Sequence, residues 1–215
     1  MPSRRCASAA GAERRAALAA LALAAVLGGA PAARADRQMD PELRGVVQQA
    51  IAEPRCELDD ERFGIDVFLK LQEPRLGRIV RDAALRADIL QNIYCHTHAI
   101  VKRYRRTQRI DLKLTPELVL AVMDVESRFD RYAVSSAGAV GLMQVMPFWP
   151  RQLGVENRLF GTVEFNVRLG CEILGYYMLR ERNDYRRALA RYNGSPGRRE
   201  YPDLVLARLS SRWRG

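Results

Sequence analysis

Thr115-Pro-Glu-Leu-Val-Leu-Ala-Val-Met-Asp-Val-Glu126, followed at once by Ser127-Arg-Phe-Asp-Arg-Tyr-Ala-Val-Ser135-Ser-Ala-Gly-Ala-Val-Gly141-Leu-Met-Gln144-Val-Met-Pro147, is the stretch that decides the fold. Thr115 is a capping residue, Pro116 suits the first helical position and Glu117 places an acid in the first turn, so a helix is expected to start at Pro116. From Leu118 to Val125 the only charge is Asp124. Leu118, Val122 and Glu126 recur every four residues, which puts Glu126 on the apolar side of that helix. A carboxyl group on such a face loses solvation of its charged form and keeps a proton to donate nearer neutrality. Ser135, Ser136, Gly138 and Gly141 then predict a tight irregular loop, open to close approach by a polymer, and Pro147 opens or interrupts the next helix. The ordinary reading of a lone helix-end glutamate is a solvated side chain; the blocks around this one point to an acid catalyst.

Glu-Ser-Arg-Phe-Asp, then Ala-Val-Ser-Ser-Ala-Gly-Ala-Val-Gly-Leu-Met-Gln-Val-Met-Pro, resembles the signature of the soluble-type lytic transglycosylases of bacterial cell walls. Two further blocks agree in order and separation. Asn166-Val-Arg-Leu-Gly170 resembles the family's Asn-x-x-x-Gly helix start, and Ala188-Leu-Ala-Arg-Tyr192-Asn193-Gly194 resembles its Tyr-Asn-Gly block. The likeness covers roughly residues 112 to 213. It implies a mostly α, goose-type-lysozyme-like catalytic domain beneath a long sugar groove, with Glu126 as the catalytic acid. It also implies that Ser135 and Gln144 contact the acetamido groups of the substrate or hold it beside the acid, that Met146 lines the groove, and that Tyr192 hydrogen-bonds or packs near Glu126. Asn193 and Gly194 are expected to shape the groove wall, Asn166 to cap its helix, and Ser127 to support the helix terminus.

The expected organisation is a signal peptide over residues 1–35, an N-terminal helical extension over 36–110 and the catalytic domain over 111–215. Arg4, Arg5, Arg14 and Arg15 precede an apolar run from Ala16 to Leu27, and Ala33-Arg34-Ala35 offers a small-residue cleavage site. The run is shorter than the roughly 20 residues a membrane span needs, and no other segment could cross a bilayer. Cys6 precedes the run and so cannot be a lipid-bearing cysteine at that site. The expectation is a soluble protein exported to the periplasm, not a lipoprotein. The whole chain carries 35 basic and 25 acidic residues, a formal charge of +10. Removing residues 1–35 takes away five arginines and one glutamate, which leaves 30 basic and 24 acidic residues and a charge of +6. A basic surface suits an acidic polymer; export argues against nucleic acid and for peptidoglycan glycan strands, which bear carboxylates.

Cys56, Cys95 and Cys171 remain in the mature chain, an odd number that allows one internal disulfide in an oxidising compartment. The pairing chosen here is Cys56 with Cys171, which would staple the extension onto the catalytic domain; Cys56 with Cys95 is the alternative, and Cys95 also reads as a small buried hydrophobe. His96 and His98 stand two apart on a probable helix and point to different sides, so no metal site is expected. No glycine-rich phosphate loop, HExxH or CxxC pair is present, and no cofactor is expected.

The periodicity further predicts helices at Pro41–Ala52, at Glu61–Leu71 with Pro74 closing the region, from about Leu76 to Arg106, from Pro147 to about Leu153, and at about 163–182, 184–192 and 200–212. No strand pattern of useful length occurs. A retaining glycosidase needs a second carboxylate about 5–5.5 Å from its acid, and an inverting one needs it farther away. Asp130 is the nearest candidate but reads as a capping or solvated residue, and Asp124 falls on another helical face. A lone Glu126 would donate its proton and then act as base. The resemblance supplies the reaction: cleavage of the β-1,4 bond between N-acetylmuramic acid and N-acetylglucosamine by the sugar's own C6 hydroxyl, giving 1,6-anhydromuramoyl ends. A muramidase using water, or a non-catalytic peptidoglycan-binding scaffold of a secretion apparatus, are the alternatives. The chain lacks the long superhelical region and C-terminal wall-binding repeats of larger relatives, so affinity is expected to come from the groove; cell-wall or secretion-machinery partners for the extension are unassigned.

Overall fold

A computed structural model describes residues 40–52, 62–156, 159 and 161–214. The proposed signal peptide, and Cys56 with it, lie outside the described residues. Those described are mostly α-helical: α1 (Pro41–Ala52), α2 (Arg62–Leu76), α3 (Ala83–Gln108), α4 (Pro116–Glu126), α5 (Trp149–Leu153), α6 (Val163–Arg180), α7 (Tyr185–Tyr192) and α8 (Glu200–Arg208), the last running into a π-helical turn at Leu209–Trp213. The only β pairing among them is a pair of isolated antiparallel bridges, Val134 with Val140 and Val140 with Val145, inside the loop after α4.

The central element is α4. Thr115 Oγ1 accepts from the Leu118 N–H at 3.2 Å, Pro116 fills the first turn, and every residue from Leu118 to Glu126 is buried. A helix apolar all round must be enclosed on all sides, and α3, α8 and the π-turn pack against it. The other enclosed helix is α6, capped by Thr162, whose Oγ1 accepts from the Phe165 N–H at 3.2 Å. Leu43 and Val47 of α1, Ile65 and Phe68 of α2 and Ile89, Leu90 and Ile93 of α3 join Leu118–Met123 and Trp213 in one apolar cluster. The N-terminal helices are thus built into the same core as α4. Between α3 and α6, the Arg103 guanidinium grips the buried Glu172 carboxylate with both nitrogens, at 3.0 and 2.5 Å.

Four expectations need correction. Pro74 does not close α2, which runs through it to Leu76; the proline forgoes one backbone hydrogen bond there, and packing of α2 against α3 carries the helix past it. The long helix begins at Ala83, not Leu76, because Leu76–Val80 forms a turn and Asp82 Oδ1 caps Ala84 and Leu85 at 2.9 and 3.2 Å. The last helix leaves α geometry at Arg208. Asn166 does not cap α6, since that place belongs to Thr162.

The cysteine pairing also differs. Cys171 is a free, fully buried thiol, and Cys95 is disulfide-bonded. The Cys56–Cys171 bond is therefore ruled out, and the partner of Cys95 lies among the residues outside the description. Burial, and then the neighbouring Glu172, push the Cys171 thiol far up, which makes it inert as a nucleophile.

Candidate active site

Glu126 is the last residue of α4, and the chain behind it is sharply bent. Arg128 and Phe129 both have left-handed backbones, φ 53° and 65°, which a non-glycine residue adopts only when its surroundings impose it. The Ser127 hydroxyl does so locally: it donates to the Leu142 carbonyl at 2.9 Å and accepts from the Phe129 N–H at 3.1 Å. Phe129 is then locked edge-on against Trp213, ring centroids 5.5 Å apart. Ser127 thus ties the end of α4 to the following loop, the supporting role expected for it.

The carboxyl group of Glu126 is buried, 9% exposed, and accepts a 2.8 Å hydrogen bond on Oε1 from the hydroxyl of Tyr201, itself 1% exposed, in α8. Beside it lies a cavity of about 320 Å³ lined by residues 124–128 with Ala133, Leu204, Arg208 and Arg212. Two acids face this cavity, Glu126 and Asp124. Asp124 sits on a different turn face of α4 but is not remote from the site: both its oxygens accept from one nitrogen of Arg212, at 2.9 and 3.1 Å. Asp130 is exposed and uses Oδ1 to accept from the Tyr132 N–H at 2.8 Å, a local turn.

The loop over residues 133–146 is held from α6. Asn166 Oδ1 accepts from the Met143 N–H at 2.8 Å and its Nδ2 donates to the Val140 carbonyl at 2.9 Å. A Cβ on Gly141, which has φ 80°, would fall 2.6 Å from Asn166 Nδ2. A Cβ on Gly170, one turn along α6, would fall 2.4 Å from that of Met143. The Asn-x-x-x-Gly spacing therefore serves one face: asparagine grips the loop backbone and glycine lets it lie against the helix. Tyr192 adds a third tie, its hydroxyl donating to the Met143 carbonyl at 2.7 Å.

Of the other expected residues, Ser135 is half-buried and its Oγ accepts from the Ala139 N–H at 3.0 Å. Gln144 is buried with φ 47°, and its Nε2 donates to the Ala133 and Gly141 carbonyls at 3.1 and 3.0 Å. Met146 is buried. Asn193 is buried too, donating to Ser195 Oγ at 2.9 Å, and its Oδ1 lacks a protein partner. None of these five residues (Ser135, Gln144, Met146, Tyr192, Asn193) lines the Glu126 cavity itself; Ser135, Gln144 and Met146 belong to the loop, which Gln144 joins to the cavity through Ala133, and the hydroxyl of Tyr192 at the end of α7 bonds the loop at Met143. The site residues that sequence reasoning missed are Leu204, Arg208 and Arg212, which line the cavity, and Tyr201, which hydrogen-bonds Glu126. Nothing in Arg199-Glu-Tyr201-Pro or in the C-terminal Arg-Trp-Arg marks them, since their part depends on α8 folding back on α4. Among the described residues no group of three or more histidine, cysteine or acidic side chains could hold a metal ion.

Residues 104–202 match the model of the transglycosylase SLT domain. The chain is also similar to proteins named membrane-bound lytic murein transglycosylase C. It shares 40% identity over 83 residues with that of Actinobacillus pleuropneumoniae serotype 5b, 36% of this chain and 21% of the relative. It shares 37% over 84 residues with that of Actinobacillus succinogenes, 36% of this chain and 22% of the relative. With that of Glaesserella parasuis it shares 46% over 48 residues, 22% of this chain and 12% of the relative. The chain thus spans about a fifth or less of the length of these curated relatives. Residues 104–202 are thus similar to the transglycosylase SLT domain, and the described residues are mostly helical.

Proposed function

We propose that this protein is a lytic transglycosylase of peptidoglycan, with Glu126 as its single acid and base. The observation that carries this reading is the unequal state of the two acids at the cavity. Glu126 is held by a neutral phenol, whereas both oxygens of Asp124 are engaged by a guanidinium. A carboxylate so paired is a poor nucleophile and a poor base, so the second carboxylate that most glycoside hydrolases use is not on offer. Glu126 gives its proton to the glycosidic oxygen as the bond from that oxygen to C1 of the muramoyl sugar breaks. The C6 hydroxyl of the same sugar then bonds to C1 and returns its proton to Glu126, so no water is consumed. The N-acetyl group of the substrate stabilises the positive charge at C1.

The loop layer supplies substrate contacts in this reading. Gln144 spends both amide protons on carbonyls, and its Oε1 is the acceptor it can offer an acetamido N–H. Ser135 accepts from Ala139 and keeps its hydroxyl proton for an acetamido carbonyl. Met146, Tyr192 and Asn193 shape the groove wall.

The same reading includes a leader over residues 1–35, an extension over 36–110 and export to the periplasm without an anchor. The leader lies outside the described residues, and the relatives are named membrane-bound. No described helix is long and apolar enough to cross a membrane.

The test is mass spectrometry of muropeptides released from purified peptidoglycan by the protein and by Glu126→Gln. Anhydromuramoyl ends from the unmodified protein alone are expected. Reducing ends would replace the reading with a hydrolase, and undiminished turnover by Glu126→Gln would remove Glu126 from its role. Fractionation of the producing cells should place the chain in the soluble periplasmic extract; recovery with washed membranes would mean an anchored form.

A further inference from the structure

Many of the described arginines sit against an acid: Arg86 with Glu73, Arg103 with Glu172, Arg105 with Asp111, Arg180 with Asp40, Arg186 with Asp203, Arg191 with Glu181, Arg198 with Glu200 and Arg212 with Asp124. One cavity gathers arginines with no acid in its own described lining. It has a volume of about 510 Å³, lies between the end of α2 and the π-turn, and is lined by Arg75, Arg78, Ile79, Ser211, Arg212, Trp213 and Arg214. Four arginines line it, of which Arg212 is paired outside the cavity with Asp124, and no described lining residue is acidic. Arg78 and Arg214 are exposed and have no acidic partner among the described residues.

The cavity is also built. Gln72 Nε2 and Arg75 both donate to the Trp213 carbonyl, at 3.2 and 2.9 Å, which fixes the π-turn on α2. Trp213 is 1% exposed, and its indole Nε1–H, a donor without an acceptor function, has no partner in the protein. A buried unpaired donor is costly, and the guanidinium groups of Arg78 and Arg214, without an acid beside them, attract an anion. Arginine in such number favours planar, bidentate acceptors, that is, carboxylates or phosphates.

Position decides between them. Arg212 lines this cavity and the Glu126 cavity alike, and Phe129, three residues beyond Glu126, packs on Trp213. A ligand seated among the arginines is therefore a neighbour of the sugar being cleaved. We infer that the cavity is a subsite for the carboxylates of the peptide stems carried by the muramoyl sugars, a reading that rests on peptidoglycan as the substrate. It binds substrate and takes no part in bond cleavage.

Trp149 and Trp213 are the only tryptophans, so tryptophan emission reports on the site directly. Titration with a disaccharide-tetrapeptide is expected to shift that emission in the unmodified protein and not in Trp213→Phe. The Arg78→Gln/Arg214→Gln double variant should keep its thermal midpoint and bind this probe about tenfold more weakly. Its binding of peptide-free disaccharide, and its KM on peptide-stripped glycan strands, should stay unchanged, while KM on peptide-bearing strands rises about tenfold. Equal loss on both substrates, no loss on either, or an equal response to inorganic phosphate overturns the inference. Arginine-dependent binding to phosphatidylglycerol vesicles in place of the disaccharide-peptide would assign the cavity to a membrane surface and overturn it too. Peptide binding without any release of anhydro ends would sink the transglycosylase reading and leave the subsite standing; release that ignores the peptide would do the reverse.

Discussion

The hydroxyl of Tyr201 hydrogen-bonds the carboxyl group of Glu126, the proposed acid, from outside its own helix. A hydrogen bond to a charged or ionisable group is worth about 1.5–3 kcal/mol, and its loss lets the side chain wander from the geometry the reaction needs. Tyr201→Phe keeps the ring in its buried place and removes only the donor. The expected result is a fall in kcat of about 10- to 100-fold, from those energies at 1.4 kcal/mol per factor of ten, with KM nearly unchanged. A matching rise in KM with kcat intact would show that the phenol serves binding and not placement of Glu126. Asp124 offers the contrast at the same scale: its carboxylate is paired with Arg212, and in the proposed reaction it shapes the wall of the site without taking part.

At the scale of elements, the key joint is the contact of the Ser/Gly loop with α6. Gly170→Ala would improve the intrinsic helix propensity of α6 by about 1 kcal/mol, yet its new Cβ would stand 2.4 Å from that of Met143. Met143 cannot easily yield, because its N–H is held by Asn166 and its carbonyl by Tyr192. Overpacking of this kind costs about 1–3 kcal/mol, so urea denaturation should show Gly170→Ala to be less stable than the parent and activity should fall with the displaced loop. A neutral or stabilised variant would mean that the loop is not pinned as described. Much of this level was legible from the chain: Thr115-Pro116 marked the start of α4, the four-residue apolar spacing put Glu126 on its buried side, and Pro41–Ala52 was read with its bounds. The failures have physical causes. Pro74 was read as a terminator because only local propensity was visible, and packing of α2 against α3 carries the helix past it. Asn166 looked like a cap since an asparagine at a helix start usually is one; its partners lie 23 and 26 residues earlier in the chain. Tyr201, Arg212 and the cysteine pairing depend on which distant segments meet, and no period in the sequence encodes that.

At the scale of the whole molecule, α3 and α6 form the broadest helix contact, and their interface buries a group whose ionisation opposes folding. His96 on α3 is 6% exposed, and burial, with Arg168 of α6 adding repulsion, lowers its pKa from 6.5 to about 4. It is neutral in the folded protein at any pH above that value, and its Nε2 has no partner among the described residues. The unfolded chain takes up a proton on this residue as the pH drops through 6.5, while the folded chain resists until about pH 4. Stability from this residue is therefore fully present above pH 6.5, declines between 6.5 and 4, and levels off below. The span corresponds to roughly 3 kcal/mol at 1.36 kcal/mol per pKa unit, an order-of-magnitude figure. Urea unfolding at pH 7 and at pH 4.5 should show the parent losing more stability on acidification than His96→Leu, which has nothing to protonate at that position. Because carboxylates also titrate toward the acid end, the difference between the two proteins, and not the slope of either, carries the test. Identical losses in both would mean that His96 is charged or solvated in the folded state.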